Sequence, residues 1–222
     1  MTKALPSRSS SITDRNYSEV VDANGREEVP DPREQIIGSA TSLFAALGYD
    51  ATPIEMIADS SGVDLPTLTT LVGDKQTIYR SVMDRVQSAR RAMFDMVITD
   101  FTPDRAGMHQ LTDRALDHAV AHPELHALWM HRWHSDAADI PELERVYLQP
   151  DLDRFRALVQ GMTPAETNVD LALLTLTWAI SGFCIGGVLN SEGVREGPEN
   201  PVLLEQFRQH LYRLADLMFG LD

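Results

Sequence analysis

A chain of 222 residues with 43% hydrophobic content and a mean hydropathy of -0.19 is long enough for one sizeable domain, or a small one joined to a medium one. Its net charge of -14 and pI near 4.8 oppose non-specific attraction to polyanions, although a local basic face can override a whole-chain balance. One cysteine, Cys184, excludes an internal disulfide framework and fits a reducing cytoplasm.

The first 30 residues are polar, Ser-rich and aperiodic, without the apolar stretch of a secretory signal, and are expected to form a disordered tail. Asp31-Pro32-Arg33-Glu34 then has the form of a capping box with proline at the first helical position. Ile36, Ile37, Ala40, Leu43, Phe44 and Leu47 continue one helical face, and Gly48 stops it. Thr52-Pro53-Ile54-Glu55 repeats the capping pattern before a short helix that Gly62 ends. Asp64 caps a third helix, Leu65 to Val72, with Pro66 harmless in its first turn. Asp74 caps a long helix through Ile78, Val82, Val86, Ala89, Met93 and Val97.

Further helices are expected at 105–121, 123–135, 141–161, 164–190 and 201–219, with Thr163-Pro164-Ala165-Glu166 as another capping box and Asn200-Pro201 opening the last. The sum is an all-α chain of about nine helices with no sheet, and Ser191 to Glu199 is expected to be an exposed connection. The apolar run Leu171 to Leu189 is interrupted by threonines, Ser181 and glycines, which suits a buried or interface helix better than a membrane span.

Two short helices joined by a turn at Gly62 have helix-turn-helix geometry, in which the second helix can enter the DNA major groove. The spelling is more specific than the geometry. Ala40, Phe44, Gly48, Tyr49, Thr52, Ile57, Ala58, Gly62, Val63, Thr67, Leu68, Lys75 and Val82 stand at the spacing of the N-terminal domain of the TetR family of transcriptional regulators, which this stretch of about 55 residues resembles. The resemblance implies a helix-turn-helix DNA-binding domain at 31–76 and a helical effector-binding and dimerisation domain at 77–222. It further implies a homodimer, most often a repressor, released from operator DNA by a small hydrophobic or amphipathic effector. By the same resemblance, Thr52 opens the helix that braces the motif against phosphate. Leu65 to Leu71, with Thr67, Thr69 and Thr70, forms the recognition helix, and Lys75 contacts a phosphate.

The chain departs from the family where Thr69 stands in place of a common tyrosine, near Thr70 where a histidine is frequent, and near Val72 where a phenylalanine is usual. The recognition helix holds no Arg, Lys, Asn or Gln, the side chains that pair bidentately with guanine or adenine. From Arg33 to Lys75 two cations, Arg33 and Lys75, face six carboxylates, Glu34, Asp50, Glu55, Asp59, Asp64 and Asp74, a balance of -4 where phosphates would lie. The alternative is therefore a dimeric ligand-binding or protein-interaction module whose head binds DNA weakly or not at all.

Pockets for effectors are mostly apolar with a few polar anchors, and Met93, Met96, His126, Trp129, Trp133, Phe155 and Trp178 are the candidates. Leu173, Ile180, Gly182, Cys184, Gly186, Phe207, Leu211 and Leu214, on the helices at 164–190 and 201–219, are the candidate dimer interface. His118, His122, His126, His131 and His134 include i,i+4 and i,i+3 pairs of the kind that hold zinc. Pro123 makes His122 a helix-start residue and separates the first two from the rest, so no metal site or cofactor is expected. No Gly-x-Ser-x-Gly elbow, phosphate loop or dinucleotide fingerprint occurs, and no enzyme is expected.

Overall fold

The computed structural model describes residues 31–221; the tail expected over 1–30 lies outside them. Among the described residues there are nine α-helices: α1 (Pro32–Leu47), α2 (Ile54–Ser61), α3 (Leu65–Val72), α4 (Lys75–Thr99), α5 (Arg105–Ala121), α6 (Pro123–Trp133), α7 (Gln149–Val159), α8 (Val169–Gly186) and α9 (Pro201–Phe219). A π-helical turn, Glu144–Leu148, runs into α7. Asp64, Asp74, Asp104, Asn168 and Asn200 accept backbone N–H groups at the starts of α3, α4, α5, α8 and α9, the local chemistry that fixes where each begins.

The first hydrophobic core joins Ile36, Phe44, Ile57, Leu68, Tyr79 and Val82 to Leu125, Leu128 and Trp129 of α6, and to Ala137, Ile140, Leu143 and Tyr147 beyond it. Phe44, Tyr49 and Tyr79 form its aromatic centre, with ring centroids 4.9–5.8 Å apart. The second core packs Val97, Met108, Leu111, Phe155, Ile180, Leu211 and Phe219. Among the described helices only α4 runs through both: Ile78, Val82 and Val86 belong to the first, whereas Val97 belongs to the second.

Four expectations need correction. Thr52 does not cap α2: Pro53 occupies the N-cap position without a side-chain bond, and the Thr52 hydroxyl donates to the Gly48 carbonyl (2.6 Å). The helix expected at 141–161 is divided, because Pro150 lacks an N–H and its ring crowds the carbonyl four residues back; the backbone widens to π geometry just before it. The helix expected from 164 begins at Val169. Pro164 instead accepts from Thr167 N in a tight turn (3.0 Å) and packs at Gly220, where a Cβ would meet the proline ring at 2.7 Å. The same helix ends at Gly186 rather than 190, and the exposed connection closes as a two-residue antiparallel hairpin, Val188↔Glu196 and Leu189↔Arg195, so the chain is not wholly without strand. Gly187 permits it: φ is +62° and a Cβ would fall 2.3 Å from the Glu196 carbonyl oxygen.

His126 of α6 bonds Ser181 of α8 through Nδ1 (2.7 Å), tying the wall of the first core to the helix that crosses the second. Burial, helped by the positive Arg90 nearby, pulls its pKa down to about 4 from 6.5. The unfolded chain therefore binds a proton between pH 6.5 and about 4 that the native state refuses, so stability is full above 6.5 and falls as pH drops through that window. Urea unfolding of the wild type is expected to lose up to about 3 kcal/mol between those limits, at most about 1.4 kcal/mol per pH unit. His126→Gln is expected to flatten that segment of the pH profile.

Candidate DNA-reading head and effector cavity

The turn between α2 and α3 is made by Gly62 in the left-handed region (φ +69°), which directs the chain into the Asp64 cap and α3. Leu68 and Val72 anchor α3 in the first core, fully buried, which leaves Pro66, Thr67, Thr69 and Thr70 outside with Leu71 partly exposed. The threonine hydroxyls are already committed as donors. Thr69 bonds the Leu65 carbonyl (2.9 Å), Thr70 bonds the Pro66 carbonyl (2.8 Å), and Thr67 bonds the Asp64 carboxylate. What this face offers a base edge is hydroxyl lone pairs and methyl groups. Those suit the N–H donors of cytosine N4 and adenine N6 and the thymine methyl, not guanine O6 or N7.

Two other predicted contacts turn inward. Thr52 is fully buried, and Leu65 packs on the first core. Lys75 lies over the Tyr49 ring, Nζ 4.2 Å from its centroid, and so braces the turn after α1. Arg33, by contrast, reaches α3 from 38 residues away and donates to the Leu71 carbonyl (3.0 Å), placing a cation at the C-terminal end of the exposed face. Its contribution was invisible in sequence because it depends on how α1 crosses α3. Asp64 and Asp74 bracket the same face, and hydrogen bonds from Thr67 and Thr77 hold both carboxyls below the usual range, hence ionised at neutral pH.

The head is held from behind by the segment after α6. The Asp136 carboxylate accepts from Tyr49 N (2.7 Å) and Asp50 N (2.8 Å), and His131 Nε2 lies 3.1 Å from the Ala45 carbonyl. Arg132 binds the Asp136 and Ala137 carbonyls and the Glu144 carboxylate, fixing the loop that presents Asp136. Ser135, Ala137 and Glu142 in this loop have φ of +70°, +55° and +69°, a conformation that costs non-glycine residues free energy and persists only when its surroundings impose it.

Behind the head, α4, α5, α7, α8 and the end of α6 line a partly open cavity of about 150 Å³. Met93, Trp133 and Phe155 line it as expected. The other four candidates do not: Trp129 is buried in the first core, His126 is bonded to Ser181, and Met96 and Trp178 are 67% and 47% exposed. Sequence reasoning missed Phe94, Met108, Leu111 and Leu176, which have ordinary core periodicity, and the ion pair of Arg90 with Asp151 in the cavity wall. Among the described residues no three His, Cys, Asp or Glu side chains converge to hold a metal; the His118 and His122 rings meet at a tilt of 44°, their centroids 4.6 Å apart.

No protein-family model and no curated protein matches the chain in sequence. Comparison of structures does find matches. A TetR-family transcriptional regulator of Chloroflexus aurantiacus superposes at a TM-score of 0.59 with 18% identity, covering 85% of this chain and 92% of that one. Another from Thermus thermophilus gives 0.61 with 15% identity over 86% and 96%. The ketosteroid transcriptional regulator of Mycobacterium tuberculosis gives 0.63 with 15% identity over 86% and 97%. The chain has the TetR-family fold.

On this TetR-type fold the candidate interface residues divide. Ile180 and Leu211 are buried in the protomer's own second core, and Leu173 lines the cavity. Phe207 stacks on Phe183 (4.0 Å) and Leu214 packs half-buried on the second core. Cys184 packs there too, its thiol pushed up to about 11 by burial. Gly182 and Gly186 face open space, where a Cβ would meet nothing within 4 Å. The outward row of α8 is instead Leu171, Thr175, Trp178, Gly182 and Ile185, spaced four and three residues apart, with Leu171, Trp178 and Ile185 41–55% exposed. By length and composition α8 could cross a membrane, with a mean hydropathy of 1.7, yet only 28% of its residues are buried here.

Asp136→Ala is expected to free the Tyr49 and Asp50 amides, and hydrogen exchange at those two positions should accelerate selectively while α5 and α9 keep wild-type protection. Unchanged exchange at both amides would remove the carboxylate as a tether of the head.

Proposed function

We propose that the protein is a homodimeric, cytoplasmic DNA-binding transcriptional regulator, a repressor in its simplest form, whose operator affinity is lowered by a small apolar or amphipathic effector. Residues 31–76 serve as the reading head and 77–222 as the effector-binding and dimerisation part. The observation that carries this reading is α4: it leaves the helix-turn-helix at Lys75 and Tyr79 and, without a break, supplies Arg90, Met93 and Phe94 to the cavity wall. A molecule filling the cavity acts on the helix that aims the head. A ligand shifts such an equilibrium only through unequal affinity for the two arrangements. The cavity in this arrangement holds little more than a single ring, so a larger effector favours a more open one.

Thr67, Thr69 and Thr70 supply base contacts, Arg33 and Lys75 supply cations beside them, and Thr52 and Leu65 support the motif from within. The α8 row of Leu171, Trp178 and Ile185 meets its counterpart on a second copy, with Gly182 allowing close backbone approach. A second reading, a ligand-binding dimer with a weak reading head, is favoured by one observation: ionised Asp64 and Asp74 at the two ends of α3.

The protein is expected to shift DNA from its own upstream region, and absence of binding even at about 50 mM salt would sink the operator reading. Thr67→Ala and Thr70→Ala each cost roughly 1–3 kcal/mol of specific binding if the threonines touch bases. Asp64→Asn and Asp74→Asn keep a good N-cap while removing charge. They should therefore tighten DNA binding at fixed salt without altering the melting temperature appreciably. For the assembly, Ile185→Asp is expected to convert a sedimenting dimer to a folded monomer; a dimer of unchanged affinity would place the interface elsewhere.

A further inference from the structure

The hairpin between α8 and α9 presents an apolar side chain that its own protomer does not cover. Its shape is fixed from within. Asn190 Nδ2 donates to Glu196 Oε1 (2.7 Å), Asn200 Nδ2 donates to Glu196 Oε2 (2.7 Å), and Asn190 Oδ1 accepts from the Glu192 and Val194 amides. Asn200 also caps α9, so the hairpin is tied to the start of that helix. Directly opposed residues of a hairpin share one side, and their chain neighbours take the other. Val188 and Glu196 therefore mark the bracketed side, and Leu189 with Arg195 the side away from it. Leu189 is 71% exposed, and among the described residues the Arg195 side chain makes no ion pair or hydrogen bond.

A second bare leucine sits at the other end of the same helix pair. Phe183, late in α8, stacks on Phe207, early in α9, and Pro164 ahead of α8 packs at Gly220 after α9, so the two helices run antiparallel. Leu217, 81% exposed, lies three residues from Leu214, on the flank of α9 next to the side that packs on the second core. It therefore lies at the Leu171 end of α8, whose 18 residues put about 27 Å between that end and the hairpin.

We propose that the hairpin is an arm that grips a second copy of this chain, with Leu189 seated against the partner's Leu217 and Leu171, and Arg195 facing the partner's Glu166 just ahead of α8. Three considerations lead there. The outward row of α8 is symmetric, with Leu171 and Ile185 each seven residues from Trp178. Two copies joined at Trp178 with their α8 helices opposed set Ile185 of each against Leu171 of the other, and the chain then carries each hairpin past the end of the partner's α8. Opposed helices also bring unlike ends of the two α8 dipoles together. Next, three partly exposed side chains on α8 fall well short of the about 800 Å² that each partner buries in a stable interface, so the contact has to spread beyond that row. Finally, the charges are complementary: Glu166 is exposed and, like Arg195, has no side-chain partner among the described residues. Because the contact is isologous, it occurs twice.

The arm rests on the homodimer proposed above, and the two fail separately. In the full chain with Cys184→Ser, the pair Leu189→Cys and Leu217→Cys is expected to form an intersubunit disulfide under mild oxidation, read as a chain of doubled mass on a non-reducing gel. Within one protomer the two positions are a helix length apart, too far to bridge. Neither single variant should cross-link, and mixing the two single variants should restore the product. By sedimentation, Leu189→Asp is expected to weaken the dimer at least about tenfold. Arg195→Glu should weaken it less, and Glu166→Arg in the same chain should recover the loss. Both leucines are exposed, so these changes leave the protomer folded. A wild-type dimer whose double-cysteine variant stays uncross-linked, cross-linking by either single variant, or a Leu189→Asp dimer of unchanged affinity overturns the arm and leaves the homodimer standing. A wild type that sediments as a monomer at every concentration overturns both.

Discussion

The 25-residue helix α4 is packed into two separate cores, and that sharing constrains everything else in the molecule. Its first turns are locked beneath the head by Ile78, Tyr79 and Val82, all fully buried, and its last turns are locked beside α5 by Val97. Close-packed interiors transmit displacement poorly by bending but well by switching between discrete packings. A helix fixed at both ends in this way cannot tilt at one core without repacking the other. Between the two cores lies Gln87, buried and bonded to Tyr147 and Asp151, so the middle of α4 is gripped by the same π-helical turn that leads into the cavity wall.

The second coupling is the loop after α6. Trp133 lines the cavity, and three residues later Asp136 holds the turn between α1 and α2. Asp136 is flanked by two left-handed non-glycine residues, Ser135 and Ala137, and Arg132 holds the Asp136 and Ala137 carbonyls. Such strained conformations mark places where surrounding contacts hold a loop to one shape, and where loss of those contacts releases it. The head is thus reached from the cavity by two routes, α4 and the Asp136 loop, and both begin at residues beside the same small space.

Much of this was legible in sequence for local reasons. Asp64, Asp74, Asn200, Gly48 and Gly62 act on backbone groups within a few residues, so their caps and stops follow from residue type, and the ends of α5 and α9 were placed correctly. The misplaced boundaries are those where a distant group decides. Pro164 opens a turn because its ring is taken up against Gly220 from the other end of the chain, and Pro150 divides a helix whose apolar periodicity runs straight through it. Site residues divide in the same way. Thr67 and Thr70 sit outward because Leu68 and Val72 must sit inward, an alternation visible in eight residues. Arg33 beside Leu71, or Asp151 against Gln87 and Arg90, requires knowing how whole helices cross, and no periodicity encodes that. Tryptophan misled for a related reason: Trp129, Trp133 and Trp178 are equally apolar in sequence, yet one is core, one lines the cavity and one faces outward.

The acidity of the head then acquires a structural meaning that a charge count lacks. Of the six carboxylates between Arg33 and Lys75, Asp64 and Asp74 are spent as helix caps, and their negative charge is the cost of starting α3 and α4 where they start. Glu34 is paired with Arg85, which removes one carboxylate and one cation from the account together. Exposed pairs of this kind contribute little to stability, but they do cancel locally. The field at α3 is therefore set by two fixed anions at its ends and by Arg33 at its C-terminal carbonyls, with Lys75 drawn back over Tyr49. On the function proposed above, a face so arranged gains little from counterion release and draws its affinity from shape, methyl contacts and hydrogen bonds accepted by threonine. Such contacts discriminate between bases more than they attract DNA at large, so on that proposal the head depends on sequence for its affinity.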